Sequence, residues 1–449
     1  MALTLPVIAE QTFITTMGVI NAILSSHIGK EVAAAIGMID SINNIFITFF
    51  SALAIGSTVV VAHYKGQENV KNVKAASKQS FYITLLIGLV LSLLMGLLRK
   101  PLLLCLYGTA ESSVLANADA YFQITLFTYP LIAVTSVICG VLRGAGDTKT
   151  PAKAIIFMNL LNVVFSYLLI YGLQWNTPGG SFGLPGFGIR GAAWGIALAR
   201  TCGALILTGV LFKNLNINNL KKVFSFKPNL EILKSIFNIG LPASVESLLF
   251  STGKLISQTF MVSMGTAALA ANYIGFSIQT LMTIPGSALG VTATTLVGQT
   301  LGKSDCSGAR KLLASILKLG TALMLVLNVI VCVPLAEFLA SLYNKDPEII
   351  RLSALIIRLS VLFYPVWALS FILPAGLKGA GDTRYTLKVS IFSMWTVRVI
   401  LGYVLGVTLH MGLVGIWLGM FLDWIIRGTW FYLRFKGDKW LNHTIIKKC

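Results

Sequence analysis

The chain contains the stretch RGAGDT at residues 143–148 and the stretch KGAGDT at residues 378–383. The two stretches lie 235 residues apart, and chance does not readily place a shared run of five residues, GAGDT, twice in one chain. The repetition therefore indicates two copies of one structural unit. Within each stretch, we expect the glycines to end one helix in left-handed conformations and Asp147 or Asp382 to cap the next helix.

The repeat reaches back to the beginning of each copy. LPVIAE at residues 5–10 matches LPASVE at residues 241–246 with an offset of 236, and this offset continues without a gap to Gly66 and Gly302. Each copy contains an even number of apolar runs, which brings the chain back to the side of the membrane where the copy began. We therefore predict parallel repeats, an arrangement that membrane transport proteins use for two lobes around a central site.

The composition places the chain in a membrane. Of its 449 residues, 56% are hydrophobic and 11% are charged, and the mean hydropathy is +0.81. A soluble domain usually carries about 25% charged residues. These values exclude a water-soluble enzyme, a disordered chain and a fibrous chain.

Twelve apolar runs are long enough to cross a bilayer as helices, which takes about 20 residues each. They lie near residues 4–26, 33–62, 80–98, 118–142, 152–174, 190–212, 236–261, 267–298, 312–335, 350–377, 387–409 and 411–434. None of them alternates between apolar and polar residues as a strand does. The predicted fold is an all-α integral membrane protein, with twelve transmembrane helices in two pseudo-symmetric six-helix lobes. We predict an N-terminal lobe at 1–212, a cytoplasmic linker at 213–235 and a C-terminal lobe at 236–449.

Lysine and arginine give the orientation, because short basic loops remain on the cytoplasmic side. The loops that follow the even-numbered runs, together with the end of the chain, carry 23 of the 35 basic residues, whereas the opposite loops carry 6. Both termini are therefore predicted to be cytoplasmic. The net charge of +19 then belongs to cytoplasmic loops, and no nucleic-acid partner is expected.

Together these features resemble the multidrug and toxic compound extrusion (MATE) family. The resemblance rests on Leu-Pro at the start of the first and seventh helices, on the two GAGDT stretches and on FGLPGFG at residues 182–188. It implies export of amphipathic, often cationic drugs or metabolites across the plasma membrane of a bacterium, driven by inward flow of protons or sodium ions. We accordingly expect a monomer that contacts its small-molecule substrate and membrane lipids, with no cofactor besides the coupling ion.

The resemblance also indicates where the family's ion sites fall in this chain. An aspartate near the middle of the first helix in DinF-like members corresponds to Asn21. A glutamate on the seventh helix and an aspartate on the tenth in NorM-like members correspond to Phe250 and Trp367. Neither set of carboxylates is present at these positions, so the choice between proton and sodium stays open.

Carboxylates inside the predicted spans are candidates for binding the coupling ion, since a charge at the bilayer centre costs about 2.5–3.5 kcal/mol on insertion scales. Glu10 and Glu246 occupy the same position in the two copies, which singles them out. The alternative is that both lie near the cytoplasmic ends of their helices, where water reaches them. Glu246, Phe250 and Lys254 are spaced by four residues and share one helix face, so Lys254 is expected to influence Glu246.

Other polar residues in the spans have two interpretations each. Asp40, a third candidate for binding the coupling ion, lies with Asn43 and Asn44 in the outer part of the second run. This group either lines the outer mouth of a cavity or caps an extended helix end. Asp423 and Arg427 are four residues apart on the last helix, where a structural ion pair is the favoured interpretation.

Further candidates for a substrate cavity are large or polarizable side chains. Phe276, Met282 and Trp367, with Phe250 and Asn21, could form an adaptable surface for varied compounds, and ordinary packing is the alternative. Two arginines, Arg200 and Arg398, have no evident local partner and are expected to extend to the lipid headgroups.

The residues favour an ion-coupled antiporter that works by alternating access, with no catalytic residues and no metal site. The GAGDT stretches match no nucleotide-binding motif, so an ion gradient must supply the energy. One rival is a lipid-linked sugar flippase of the same superfamily, which would need an arginine-lined cavity, and only Arg200 and Arg398 are available for it. A membrane-embedded enzyme is a second rival, but it would need clustered acidic or histidine residues on the loops of one face.

Overall fold

A computed structural model describes residues 2–26, 30–108, 110–177, 180–215 and 228–441 of the chain. The N-terminal lobe comes first along the sequence. The helices of this lobe are α1 (Thr4–Ser26), α2 (Lys30–Gly66), α3 (Val70–Tyr107), α4 (Ser112–Leu126), α5 (Tyr129–Gly144), α6 (Lys149–Tyr171) and α7 (Gly188–Leu215). An antiparallel hairpin of β1 (Leu173–Thr177) and β2 (Gly180–Leu184) joins α6 to α7. The sequence analysis did not predict this hairpin.

The C-terminal lobe repeats the order of the first. Its helices are α8 (Leu230–Val262), α9 (Thr266–Gly302), α10 (Cys306–Ser341), α11 (Pro347–Gly379), α12 (Thr383–Phe392) and α13 (Gly412–Lys436). Beyond Phe392, α12 continues through the π-helical segments Ser393–Leu401 and Val404–Thr408. The predicted lobe boundaries stay predictions, because most of the linker between α7 and α8 lies outside the described residues.

Every predicted span coincides with helix. By length and apolarity, ten helices of the described residues can cross a membrane, and α4 with α5 forms an eleventh crossing that bends by 48°. The remaining predicted span is α1, a helix of 23 residues. The bend in the fourth span comes just before Pro130, which lies in the first turn of α5, whereas the equivalent Pro365 lies inside the unbroken α11.

The two GAGDT stretches turn the chain in the same way. Gly146 and Gly381 have φ values of 94° and 91°, so both adopt the left-handed conformation that glycine tolerates. Asp147 caps the next helix, because its Oδ1 accepts a hydrogen bond of 3.0 Å from the backbone N–H of Thr150. Asp382 occupies the cap position before Thr383 as predicted, but its side chain makes no cap hydrogen bond and instead binds Arg434, with 2.8 Å between Oδ2 and Nε.

The lobes meet where α2 and α9 end. A Cβ atom on Gly66 would lie 2.0 Å from the carbonyl oxygen of Gln299, and one on Gly302 would lie 2.3 Å from that of His63. Gly66 and Gly302 are equivalent in the repeat, and so are His63 and Gln299. Because equivalent residues contact each other reciprocally, the pseudo-twofold axis passes between the two glycines.

At a second pair of repeat-equivalent positions, the two contacts between the lobes are formed by different kinds of residue. A Cβ atom on Gly56 of α2 would lie 2.3 Å from the carbonyl oxygen of Ile236 and 2.9 Å from the backbone nitrogen of Gly240 on α8. The equivalent positions in the other half are Thr292 and Thr4, whose hydroxyl oxygens are 3.2 Å apart. One side of the interface is therefore a close backbone approach, and the other is a buried hydroxyl contact.

Candidate functional site

A cavity of about 780 Å³ separates the two lobes. Its wall is formed by α1, α2, α5, α6 and α7 of the N-terminal lobe and by the equivalent α8, α9, α11, α12 and α13 of the C-terminal lobe. This volume is within the range of about 300–1,000 Å³ that is typical of small-molecule sites. The charged side chains in the wall are Glu10, Arg143, Arg200, Glu246, Lys378 and Arg427.

Glu10 on α1 is bound to Arg143 at the end of α5. The arginine Nη2 donates to Glu10 Oε1, and the glutamate side chain is 2% exposed. The other carboxylate oxygen, Oε2, is buried without a hydrogen-bond partner among the described residues. Glu10 is therefore ion-paired through one carboxylate oxygen, while its second oxygen is available as a hydrogen-bond acceptor.

Glu246 on α8 is held by three donors. Lys378 Nζ lies 2.9 Å from Oε1, and the hydroxyl of Ser390 donates to the same oxygen at 3.0 Å. The hydroxyl of Thr386 donates to Oε2 at 3.2 Å. These contacts tie α8 to both α11 and α12.

The two ion pairs are equivalent in the repeat, because Arg143 and Lys378 are the basic residues that precede the two GAGDT stretches. The helical spacing predicted Lys254 as the cation that influences Glu246, but the carboxylate binds Lys378 instead. Arg143 and Lys378 received no role from the sequence. The signal that could have identified them is a basic residue at the same repeat position in both copies, facing a membrane carboxylate that is also repeated.

Lys254 belongs to a separate group, which we call the basic cluster: Lys254, Arg398 and Arg427. Lys254 Nζ, Arg398 Cζ and Arg427 Cζ lie 6.0, 5.8 and 5.1 Å from the centroid of the Phe250 ring. Arg427 also lies over Phe371, at 4.5 Å. These are cation–π distances, so the ring of Phe250 lies among three positive charges.

One carboxylate accompanies the basic cluster. Asp423 Oδ2 is 3.6 Å from Arg427 Nη2, and both side chains are buried. Ser393 donates a hydrogen bond to Asp423 Oδ1. The predicted ion pair of Asp423 and Arg427 is present, but it is joined to a larger basic group that the sequence did not predict.

The N-terminal lobe holds a different polar group. Tyr121 donates to Asp40 Oδ1 at 3.5 Å, and Tyr129 donates to Asn43 Oδ1 at 3.0 Å. Arg200 lies in the cavity wall and donates to the hydroxyl of Thr128 at 2.7 Å. Asp40 is half-buried beside this group and is absent from the wall of the cavity.

The expected extension of Arg200 and Arg398 to lipid headgroups is wrong. Arg200 faces the cavity, and Arg398 is 4% exposed within the C-terminal lobe. Arginine is also more frequent in the cavity wall than the sequence suggested, since Arg143 and Arg427 line it with Arg200. Charged groups that seem isolated along a helix here face other helices.

The remaining candidates have varied positions. Phe250 lines the cavity, and Trp367 lies behind the wall, stacked on the lining residue Phe371 with 4.6 Å between ring centroids. Phe276 contacts Lys254 and Arg398 from α9, at 5.8 and 6.0 Å from its ring centroid. The others lie away from the wall or cannot be placed: Met282 packs on the C-terminal core, Asn43 is buried, Asn44 is exposed, and the Asn21 side chain lies outside the described residues.

Comparisons with known proteins agree with this architecture. The MatE family profile matches residues 6–168 and residues 242–404, two stretches with the same offset of 236 that relates the two copies. A structure titled "Outward-facing conformation of a multidrug resistance MATE family transporter of the MOP superfamily" superposes with a TM-score of 0.84. It is 21% identical and covers 97% of this chain and 94% of its own. The two-lobed fold is therefore shared.

Curated relatives match over almost the full length. The probable multidrug resistance protein NorM of Thermotoga maritima is 28% identical over 449 residues, covering 99% of this chain and 93% of that protein. The multidrug resistance protein MdtK of Pectobacterium atrosepticum is 26% identical and covers 94% of this chain and 91% of its own length. With both copies matched by the family profile, the chain belongs to the MATE family of multidrug efflux transporters.

Proposed function

We propose that this transporter is an antiporter, which expels a small amphipathic compound in exchange for inward protons or sodium ions. The observation that carries the proposal is the pair of repeat-equivalent ion pairs, Glu10–Arg143 and Glu246–Lys378, in the wall of one inter-lobe cavity. Buried ionisable groups in membrane segments are costly and mark ion pathways and proton relays. A carboxylate is also the group that binds either candidate ion.

The coupling step is an exchange of partners at Glu246. A proton or sodium ion that binds the carboxylate competes with Lys378 for its negative charge, and this weakens the tie between α8 and α11. The bound ion then favours the conformation in which Glu246 on α8 is not bound to Lys378 on α11. A ligand shifts a conformational equilibrium only when it binds one conformation more tightly than the other. Glu10 and Arg143 provide the matching step on α1.

The ion gradient is sufficient as an energy source. Each net charge that moves inward through the membrane potential releases about 2.3 kcal/mol per 100 mV, which corresponds to roughly fifty-fold accumulation of the exported compound per net charge. One ion per cycle at Glu246 therefore allows substantial export. A second ion at Glu10 would raise this limit.

The contact between the lobes indicates which side is closed. The lobes touch at Gly66 and Gly302, in a region that the distribution of basic residues assigns to the cytoplasm. We infer that the cavity is closed toward the cytoplasm in this arrangement. One chain supplies both lobes and the whole cavity wall, so we propose a monomer as the working unit.

Cysteine labelling tests this orientation. A single cysteine in place of Asn218 should react only with a permeant reagent, whereas a cysteine in place of Gly180 should react with an impermeant one. Both variants are made in a background without the native cysteines. The reverse pattern would overturn the orientation and the assignment of the closed side.

Transport into vesicles tests the antiport itself. Purified protein in proteoliposomes should move a fluorescent dye against its own gradient when a proton or a sodium gradient is imposed, and addition of the dye should in turn dissipate that gradient. Dye accumulation that is equal with and without both gradients would show that the transport is not ion-coupled. A Glu246→Gln variant provides the control for the site.

A further inference from the structure

We propose that the basic cluster of Lys254, Arg398 and Arg427 binds the negative group of the exported compound, so that amphipathic organic anions are a substrate class of this transporter. The inference rests on the proposed export function but concerns a different site. It departs from the expectation of cationic substrates, which came from the resemblance and not from the residues of the cavity.

The charge of the cluster is not balanced by the protein. Three cations surround Phe250, and Asp423 is the one carboxylate that the described residues place beside them. The local charge is therefore about two units positive. Buried charges without counter-charges are unfavourable, and an anion at this point would relieve their mutual repulsion.

Arg427 provides a second, independent observation. Its side chain is 3% exposed, yet its Nε has no hydrogen-bond partner among the described residues, and its Nη2 lies 3.6 Å from Asp423 Oδ2 without a hydrogen bond. Buried guanidinium groups normally find acceptors for their donors. These two atoms are donors on a residue that lines the cavity, so they are suited to a carboxylate, sulfonate or phosphate.

The cluster is accessible from inside the protein. The side chain of Lys254 is exposed in part of its surface, and it lies between the rings of Phe250 and Phe276, just outside the cavity wall. Phe250, one turn earlier on α8, and Arg427 both line the cavity. An anion in the cavity can therefore reach Arg427 directly, and Lys254 lies against the same Phe250 ring.

The aromatic rings give the site its amphipathic character. Phe250 and Phe371 both line the cavity, with ring centroids 6.3 Å apart and their planes nearly perpendicular. Small-molecule sites combine such apolar walls with a few placed polar groups. The chemistry fits a compound with an aromatic or apolar body and one anionic group.

The repeat explains how the surplus charge arises. Phe276 occupies the position that Asp40 has in the N-terminal lobe, and Lys254 occupies the position of Gly18. The C-terminal lobe has therefore gained a cation and lacks an acid relative to its counterpart.

A pair of dyes with one skeleton and opposite charge tests the proposal. Fluorescein is a xanthene anion, and tetramethylrhodamine methyl ester is a xanthene cation. Fluorescence anisotropy with the purified protein in phosphatidylcholine nanodiscs should show that fluorescein binds more tightly than the cation. Tighter binding of the cation, or no binding of fluorescein, would overturn the proposal.

Variants of Lys254 assign the binding to the cluster, and the exposure of this residue favours a folded product. Lys254→Gln should weaken fluorescein binding roughly tenfold, and Lys254→Glu should reverse the preference between the dyes. Lys318→Gln is the matched control, since Lys318 is exposed on α10 and lies outside the basic cluster, and it should bind like the wild type. Equal fluorescein affinity in the wild type and Lys254→Gln would contradict the proposal.

Anionic lipid is the other source of a negative group. Nanodiscs that contain phosphatidylglycerol should leave the affinity for fluorescein unchanged if the cluster binds a substrate from the cavity. Strong competition by this lipid would instead assign the cluster to a headgroup and overturn the proposal.

Binding needs no ion gradient, which separates this inference from the proposed antiport. Suppose that fluorescein binding depends on Lys254 and that transport is independent of both the proton and the sodium gradient. This result would support the anion site and contradict the proposed antiport. Coupled transport of the rhodamine ester without fluorescein binding would do the opposite.

Discussion

The two lobes share one architecture, and their equivalent positions are of two kinds. Some positions hold the same residue in both lobes, and others hold different residues. Glu10 and Glu246 are identical in type and position, and so are Gly66 and Gly302 at the contact between the lobes. By contrast, Asp40 of the first lobe is replaced by Phe276 in the second. The retained positions form ion pairs in the cavity wall or the inter-lobe contact, whereas Asp40 and Phe276 lie outside that wall, Phe276 beside Lys254 and Arg398.

The backbone differs between the lobes near the same space. The helix α12 becomes π-helical from Ser393 to Leu401, the segment that carries Arg398, whereas its counterpart α6 is α-helical throughout. Wide turns of this kind occur often at functional sites. The two lobes therefore differ in backbone as well as in charge, since in the N-terminal lobe Tyr121 donates to Asp40 and Arg200 interacts with this carboxylate electrostatically.

The largest effect is expected at the retained carboxylates. Glu246→Gln should abolish gradient-driven accumulation, from roughly fifty-fold to none at 100 mV, because the amide can neither take up a proton nor balance Lys378. Glu10→Gln should lower accumulation by less, since Glu10 holds one donor where Glu246 holds three. Dye accumulation in proteoliposomes measures both.

Glu337→Gln is the control for these two variants, because Glu337 is exposed and its ion pair with Arg358 lies outside the cavity wall. Equal losses in Glu10→Gln and Glu246→Gln would indicate that the two lobes are functionally equivalent. A folded Glu246→Gln protein with full accumulation would remove Glu246 from the mechanism.

The glycines on the pseudo-twofold axis should behave alike. Gly66→Ala and Gly302→Ala each place a methyl group about 2 Å from a carbonyl oxygen of the other lobe, so each should destabilise the closed contact by about 1–3 kcal/mol. We expect similar losses of transport and increased labelling of a nearby cysteine from the cytoplasmic side. Gly18→Ala, where a Cβ atom meets nothing, is the control. Tolerance of one substitution but not the other would show that the axis does not pass between these residues.

A smaller effect is expected when the acid of the first lobe, Asp40, is introduced at the equivalent position of the second lobe, Phe276. Phe276→Asp places a carboxylate beside Lys254 and Arg398, which lowers the surplus positive charge of the basic cluster. The ratio of fluorescein to rhodamine ester binding should fall roughly tenfold, equivalent to about 1.4 kcal/mol. Phe276→Asn controls for the lost ring, and an equal change in both variants would argue against charge as the cause.

The smallest effect is expected at the asymmetric inter-lobe contact. Thr4→Val removes the buried hydroxyl contact with Thr292 and should cost about 1 kcal/mol of stability. Thermal unfolding in detergent measures this, with Thr252→Val as the control because Thr252 is exposed and donates only within its own helix. A larger loss than that of Gly66→Ala would contradict the view that the glycine contact dominates the interface.

The sequence was sufficient for the fold because its signals are local or repeated. Apolar runs of bilayer length predict the helices, and GAGDT with LPVIAE and LPASVE predicts the two copies. The hairpin β1–β2 was missed although LQWNT at 173–177 alternates between apolar and polar residues, because each strand has only five residues in a connection between two long apolar runs. The break between α4 and α5 was missed as well, since Pro130 and Pro365 look the same in sequence and differ in their surroundings.

The site was less predictable because its contacts join helices that are distant in sequence. Glu10 and Glu246 were found, since their repetition is visible in the sequence. Their partners Arg143 and Lys378 lie 133 and 132 residues away, and no spacing rule links them. The helical spacing of Glu246 and Lys254 instead suggested a pairing that packing does not make.

The most direct test of the account is dye transport into proteoliposomes with Glu246→Gln beside the wild type, under a proton gradient, a sodium gradient and neither. The account predicts uphill transport by the wild type with at least one gradient, and only downhill equilibration of the dye by the folded variant. Uphill transport by the wild type with neither gradient, or by Glu246→Gln at the wild-type level, would contradict it.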